Sequence, residues 1–535
     1  MNQSVSAKQL RPLVQGLCKK GKYQDASRIV MGFMEKGYVD YDAADLCARL
    51  AREGNNIPLA KTLAELAVKM APKNWRSWQL SYQAHHADAH WAQALKSLNK
   101  IAKLSPSINA EHYLAKAEAL ERLFRPDEAL ACLAELDALA EKSAETRMWL
   151  LKVNILSQQK RYEDVIAVLP PWLETASQDR YVASIWKVLA RALDKKGRYE
   201  EAFSALTKGN GLQARLEGIE TSTNAVRRRI EVFKSLFTPG WLSTWQPVAP
   251  ASRTPVFLLG FPRSGTTLLE QMLDAHESIQ AMEEPPTVST VMRQAITWMQ
   301  AKASMSSQAP RGAGWKQQWM DVFNFMGELG DEQIAMLRET YFRVARQEVN
   351  LQENTVLVDK MPLNTVDIGI ILRLFPDAKF VVALRHPCDC VLSGFMQTFE
   401  MNEGMANFLD LESGASFYKH VMKLLWQYQE VFKLDDRMHY VRYEDLLDDF
   451  EGETSKILHF MGLEWSESIS RYDEHAKARG TLATPSYQGV TQKIYSTSRE
   501  RWRHYGKWME PVLPHFREAA ERYGYDLTIP PADVL

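Results

Sequence analysis

Residues 256–267 read VFLLGFPRSGTT, an apolar run followed by a loop that contains two glycines. The run predicts a buried strand, and the residues after the loop predict a helix. Gly260 and Gly265 bracket a tight turn whose backbone N–H groups can surround a phosphate. The spacing is that of a Walker A loop, but Thr266 stands where that loop has its lysine. The loop can hold a 5′-phosphate but suits a magnesium-bound triphosphate poorly, and Arg263 can face whatever that phosphate carries.

Short apolar runs alternate with helical patterns throughout the second half of the chain, which predicts a parallel sheet covered on both faces. The predicted strands are 256–259, 356–358, 380–384 and 439–441. Ligands of such sheets bind where the strands end, next to helix N-termini.

A second anion-binding pattern follows the strand 380–384. Arg385 leaves that strand, and Ser393 lies two turns into the helix that comes next. An arginine can grip a phosphate with two hydrogen bonds, and a serine can add a third. A surface salt bridge is the alternative interpretation of Arg385.

Composition excludes several classes of protein. The chain has 535 residues, of which 65 are basic and 66 acidic, so its net charge of -1 gives no global basis for nucleic-acid or membrane-surface binding. Five cysteines are too few for a disulfide scaffold, and no His or Cys spacing predicts a metal site. The first ten residues contain no apolar stretch of signal-peptide length. We therefore expect a cytoplasmic protein without a metal.

The first 210 residues carry an internal repeat. An aromatic or apolar residue stands three positions before a small residue, and this pattern recurs every 34 to 37 residues. The small residues are Ala26, Ala60, Ala94, Ala129, Val165 and Ala202. The pattern resembles about six tetratricopeptide repeats, in which stacked helix pairs bury one another's apolar faces. Such an array either presents a concave surface to a peptide or partner domain, or supports the rest of the chain.

The sequence therefore predicts an all-α solenoid followed by a P-loop-like α/β domain. We place the repeat array at 1–210, a helical linker at 211–253 and the α/β domain at 254–535. A charged pattern predicts one helix over 212–236, and Pro239 and Gly240 end it.

The two anion-binding patterns together resemble those of sulfotransferases that use 3′-phosphoadenosine 5′-phosphosulfate (PAPS). The resemblance covers about residues 254–525 and is strongest to protein-tyrosine sulfotransferases and to bacterial relatives that carry tetratricopeptide repeats. It implies that the loop holds the 5′-phosphosulfate and that Arg385 and Ser393 hold the 3′-phosphate. The loop residues are Arg263, Ser264, Gly265, Thr266 and Thr267.

The same resemblance implies a catalytic base. Tyrosine sulfotransferases have a Gly-Glu-Glu-Thr-Arg stretch whose second Glu is the base, and Glu284 matches that residue, although Met282 and Pro285 depart from the stretch. Chemistry favours this role, because a carboxylate can deprotonate the acceptor hydroxyl while cations stabilise charge on the departing oxygen. Arg263 and Lys360 are the candidate cations, and Lys360 matches the lysine of the family's Asn-Lys-Asp-Pro stretch.

Two further stretches resemble elements near the nucleotide. Tyr443 begins a Tyr-Glu-Asp-Leu element, although a tyrosine packed on the sheet is the alternative. Residues 484–502 resemble a loop that covers the nucleotide. In that loop Ser486 matches a transition-state serine, and Lys493 and Arg501 suit a 3′-phosphate.

We therefore expect a PAPS-dependent sulfotransferase that acts by in-line transfer. Its acceptor is a protein tyrosine docked on the repeat array, or a small-molecule, saccharide or lipid hydroxyl. The resemblance also allows a homodimer. Two alternatives are a P-loop small-molecule kinase, which the missing Walker lysine disfavours, and a repeat-based scaffold with an inactive nucleotide domain.

Overall fold

The computed structural model describes residues 7–53, 56–139, 141–219, 225–305, 314–479 and 499–531. The chain divides into two compact units, Met1–Lys196 and Gly197–Leu535. Among the described residues, no helix has both the length and the apolar character needed to cross a bilayer.

The first unit consists of helices that follow one another in pairs. These are Ala7–Lys19 with Tyr23–Glu35, Tyr41–Glu53 with Ile57–Met70, Trp75–Ala87 with Trp91–Leu104, Ala110–Arg122 with Pro126–Asp137, and Glu145–Gln158 with Tyr162–Leu173, followed by Arg180–Lys195. The second helix of each pair begins at the predicted aromatic or apolar position. The small residue three positions later is 0% exposed in every pair, so neighbouring helices approach closely there. The predicted helical array is confirmed.

The connection into the second unit differs from the prediction. The predicted single helix over 212–236 is wrong, because Tyr199–Glu217 and Ala225–Leu236 are separate helices. The first of them ends at Gly218, whose φ of 62° is the left-handed conformation that glycine favours as a helix cap. The helix Tyr199–Glu217 belongs to the second unit, which begins at Gly197. The boundaries at 210 and 253 stay predictions.

The second unit is built on a parallel sheet of five strands in the order β2-β3-β1-β4-β5. The strands are β1 (Val256–Gly260), β2 (Ile279–Glu283), β3 (Val356–Lys360), β4 (Lys379–Leu384) and β5 (Met438–Arg442). The predicted parallel sheet is confirmed, and β2 is the strand that the apolar pattern did not predict. Because β1 lies between β3 and β4, the loops after these three strands meet at one edge of the sheet.

Helices cover both faces of the sheet and complete the unit. Alternate residues of β1 point to opposite faces, and Val256 and Leu258 pack with the helix Thr266–Asp274 in one apolar core. The remaining helices are Pro239–Leu242, Thr287–Met305, Trp315–Glu328, Asp331–Glu348, Ile368–Leu374, Pro387–Phe395, Leu411–Phe432, Tyr443–Asp448, Phe450–Met461, Tyr472–Arg479, Gly506–Met509 and Arg517–Tyr523. Three of them, from Thr287 to Glu348, form an insert between β2 and β3.

Candidate active site

The loop after β1 has the backbone that a phosphate cradle requires. Arg263 and Gly265 have φ values of 73° and 99°, and the helix that begins at Thr266 points its free N–H groups toward the loop. The hydroxyl of Ser264 is buried and has no hydrogen-bond partner among the described residues. A buried donor without a partner is costly, so this hydroxyl suits a bound anion.

Tyr443 explains why residue 265 is a glycine. A Cβ atom at Gly265 would lie 2.9 Å from Cδ2 of the Tyr443 ring, so the ring packs directly on the loop backbone. Tyr443 is half-buried and also contacts the core on that face of the sheet. Tyr443 therefore packs on the sheet, as the alternative interpretation has it, and also lies at the loop after β1; its place near a nucleotide stays a prediction.

The predicted anion clamp after β4 contacts the loop after β1. Arg263 donates from Nε to Oγ of Ser393 at 3.1 Å, and Arg385 donates from Nη1 to the carbonyl of Arg263 at 3.2 Å. The guanidinium of Arg385 lies 5.1 Å from the centre of the Tyr443 ring. The structure thus brings together Arg263, Ser393, Arg385 and Tyr443, four residues predicted from the sequence.

On the other side of β1, the end of β3 carries the predicted lysine and base. Nζ of Lys360 lies 3.0 Å from Oε1 of Glu284 and 3.2 Å from Oε2 of Glu270. The backbone N–H of Glu284 donates to the carbonyl of Lys360 at 2.8 Å, and Glu284 has a φ of 50°, which is rare outside glycine. Strained backbone of this kind concentrates at functional sites.

A buried network fixes the end of β3 next to Lys360. The carboxylate of Asp359 accepts hydrogen bonds from the hydroxyls of Tyr341 at 2.6 Å and Thr287 at 2.8 Å. Burial raises the pKa of Asp359 to about 6, against the opposing effect of these two donors and of Lys360. Tyr341 and Thr287 lie on the helical insert, so the network also ties the insert to the sheet edge.

The predicted residues of the C-terminal stretch divide into two groups. Ser486 and Lys493 lie outside the described residues. Arg501 is half-buried, and the adjacent Trp502 is fully buried. The carboxylate of Asp389 accepts from the backbone N–H groups of Glu500 and Trp502 at 2.8 and 3.0 Å. This contact fixes the chain around Arg501 to the helix that follows Arg385.

Sequence reasoning missed Glu270 and Asp389. Glu270 lies in the first helix after the loop and is 0% exposed, and Asp389 is 2% exposed. Charged side chains are almost never fully buried unless they are paired. The sequence pattern does not show that these two carboxylates are buried. A signal was available for Asp389, because it lies between Arg385 and Ser393, the two residues of the predicted anion clamp.

The arrangement combines anion-binding groups with a carboxylate at one sheet edge. Arg263, Arg385 and the helix N-terminus provide positive potential on one side of β1, and Lys360 and Glu284 form a cation–carboxylate pair on the other. Within the described ranges, no group of three or more His, Cys, Asp or Glu side chains is placed to hold a metal ion. Such a site can bind a phosphorylated donor and accept a proton from a nucleophile.

Comparison with known proteins shows what part of the second half of the chain is similar to. Residues 255–467 match the model of the sulfotransferase family. An uncharacterized protein of Aquifex aeolicus is 26% identical over 74% of this chain and 50% of its own length. A putative protein-tyrosine sulfotransferase of Caenorhabditis briggsae is 24% identical over 41% of this chain and 69% of its own length.

A further relative has a different named acceptor. The omega-hydroxy-beta-dihydromenaquinone-9 sulfotransferase Stf3 of Mycobacterium bovis is 24% identical over 38% of this chain and 50% of its own length. The chain thus spans half the length of two of these relatives. The predicted resemblance to sulfotransferases is confirmed, and the acceptor is a separate question.

Proposed function

We propose that this protein, whose residues 255–467 are a sulfotransferase-family domain, transfers a sulfuryl group from PAPS to an acceptor hydroxyl. The observation that carries the proposal is the contact of Arg385 with the loop after β1, where Arg263 also binds Ser393. This places two guanidinium groups and a helix N-terminus around one loop, which suits a nucleotide with separate 5′- and 3′-phosphates.

The loop residues fit the 5′-phosphosulfate end of the donor. Ser264 offers a buried hydroxyl without a partner among the described residues, and Gly265 to Thr267 offer backbone N–H groups at the helix start. Arg385 and Ser393 would hold the 3′-phosphate, and Arg501, with Tyr443 beneath Arg385, would complete that side of the pocket.

In the reaction, Glu284 takes the proton of the acceptor hydroxyl. The acceptor oxygen then forms a bond to sulfur while the bond from sulfur to the bridging phosphate oxygen breaks in line. The electron pair of that bond leaves with adenosine 3′,5′-bisphosphate. Lys360 and Arg263 stabilise the negative charge that builds on the bridging oxygen, as preorganised cations do in other group transfers.

The acceptor that we propose is a tyrosine in a protein or peptide. The supporting observations are the adjacent acids Glu283 and Glu284 and the relative from Caenorhabditis briggsae with that named activity. The helical array offers a surface on which a peptide can dock. The Mycobacterium bovis relative makes a small lipid-like hydroxyl the competing acceptor.

Calorimetric titration with adenosine 3′,5′-bisphosphate tests the donor site. We expect metal-independent binding that Arg385→Ala abolishes and that Arg346→Ala, a change at an exposed ion pair with Glu339, leaves intact. Absence of bisphosphate binding, together with binding of ATP and magnesium, would refute the proposal and support a kinase. Absence of both would support a scaffold.

An acceptor screen with PAPS then tests the chemistry. We expect sulfation of tyrosine peptides by the wild-type protein. Glu284→Gln should keep bisphosphate affinity and lose about 100-fold or more in transfer rate, the contribution typical of a general base. Transfer at the wild-type rate by Glu284→Gln would remove Glu284 from the mechanism.

A further inference from the structure

Among the described residues, Lys360 has two carboxylate partners, and the two differ in burial. Nζ of Lys360 lies 3.2 Å from the carboxylate of Glu270 and 3.0 Å from that of Glu284. The side chains of Lys360 and Glu270 are 0% exposed, whereas that of Glu284 is 41% exposed. The lysine is therefore held by one enclosed carboxylate and by one that reaches solvent.

The enclosed carboxylate has a further contact within its own helix. Glu270 lies in the second turn of the helix that follows the phosphate loop, and Nε2 of Gln271 donates to its Oε1 at 3.1 Å. Glu284 follows the end of β2, and its backbone is anchored to the carbonyl of Lys360 while its side chain extends to the surface. Of the two partners, Glu284 is the one whose carboxylate can move.

In the proposed reaction Glu284 has to act as a base, although it is paired with Lys360. A carboxylate that stays paired with an ammonium group is a weak base, so Lys360 has to release Glu284 before the proton transfer. A buried ammonium that loses its sole partner is strongly destabilised. A second carboxylate removes that penalty, because Lys360 keeps one ion pair while the other breaks.

We propose that Glu270 is a positioning residue that keeps Lys360 paired while Lys360 turns from Glu284 to the transferring group. Arrival of the negatively charged donor draws Nζ of Lys360 away from Glu284 and frees that carboxylate to accept the acceptor's proton. Glu270 touches neither substrate in this scheme and acts through Lys360. The inference rests on the proposed sulfuryl transfer and adds a residue and an order of events to it.

The test compares Glu270→Gln with the wild-type protein in two assays. Binding of adenosine 3′,5′-bisphosphate, which has no sulfuryl group, should be unchanged. The rate of tyrosine-peptide sulfation should fall about ten-fold or more, because Lys360 then has Glu284 as its remaining carboxylate partner and holds it. An unchanged rate would overturn the inference.

The pH profile separates this role from a merely structural one. Glu270→Gln removes the negative charge that shares Lys360 with Glu284, so Lys360 then pairs with Glu284. Removing that charge should move the acid limb of kcat/KM to lower pH, by about one unit. A limb that stays in place or moves to higher pH would refute the inference.

Two further variants keep the test decisive if Glu270→Gln fails to fold. Glu270→Asp retains the charge, so we expect a lower rate while the acid limb of the pH profile stays in its wild-type position. A displaced acid limb would contradict the inference. Arg346→Ala, at the exposed ion pair with Glu339, serves as the control with an unmoved limb. Failure of the wild-type protein to bind the bisphosphate would instead refute the underlying sulfotransferase proposal.

Discussion

Replacement of Gly265 by alanine probes the contact between the phosphate loop and Tyr443. Gly265 has a φ of 99°, a conformation that costs an L-residue about 1–2 kcal/mol. The new Cβ would also lie 2.9 Å from Cδ2 of Tyr443, so the ring has to shift. Overpacking of this kind typically costs about 1–3 kcal/mol. We expect Gly265→Ala to destabilise the second unit by about 2–5 kcal/mol, the sum of the two effects.

Gly462→Ala is the matched control for that measurement. Gly462 has a φ of 81° at a helix end, but among the described residues beyond its chain neighbours no heavy atom lies within 4 Å of the position that a Cβ would take. The control therefore incurs the backbone strain alone, about 1–2 kcal/mol. Urea denaturation followed by circular dichroism measures both variants.

The same substitution should also weaken nucleotide binding. The Tyr443 ring lies beneath the guanidinium of Arg385, so displacing the ring displaces a proposed 3′-phosphate ligand. We expect the affinity for adenosine 3′,5′-bisphosphate to fall about ten-fold, equivalent to about 1.4 kcal/mol, in Gly265→Ala and to stay unchanged in Gly462→Ala. Equal stability and equal affinity in the two variants would refute the reasoning from the ring contact.

Three other substitutions have expected outcomes that urea denaturation measures. Lys360→Met leaves the buried carboxylate of Glu270 without its cation and should cost about 3–5 kcal/mol, part of which Glu270→Gln in the same chain should restore. Because burial raises the pKa of Asp359 to about 6, the native protein keeps a proton that the unfolded chain releases near pH 4. The contribution of Asp359 to the free energy of unfolding therefore falls by about 3 kcal/mol as pH rises from about 4 to 6. In Asp359→Asn this part of the pH dependence should be missing. Ala94→Leu overpacks a fully buried helix contact and should destabilise the first unit by about 1–3 kcal/mol without changing bisphosphate affinity; a loss of affinity would contradict this.

Local patterns were sufficient to predict most of the sheet and the repeat. The runs that became β1, β3, β4 and β5 are apolar and bounded by turn residues, and the small residues of the array recur at a constant period. The apolar pattern did not predict β2, because its sequence, IQAME, has one β-branched residue and includes a charged residue. Pairing with β3 stabilises it, and that contact is long-range.

The candidate site was predictable where a residue follows a strand and less so where burial matters. Arg263, Lys360 and Arg385 stand at strand ends, and the topology brings strand ends together. Glu270 lies within a helix, where a glutamate ordinarily faces solvent, so its ion pair with Lys360 depends on packing that one sequence does not reveal.

The hydrogen bond between the backbone N–H of Glu284 and the carbonyl of Lys360 has a consequence for how acceptor preference can change. Because β2 and β3 are parallel, the chain leaves β2 at Glu284 and re-enters the sheet at Val356, at the opposite end of the strands. Lys360, at the far end of β3, lies beside Glu284, and the two backbone atoms are 2.8 Å apart. The helices Thr287–Met305, Trp315–Glu328 and Asp331–Glu348 form the crossover between these two strands. Evolution or an engineer can exchange this crossover for a longer or shorter one while the pairing of β2 with β3 keeps the mutual geometry of Glu284 and Lys360.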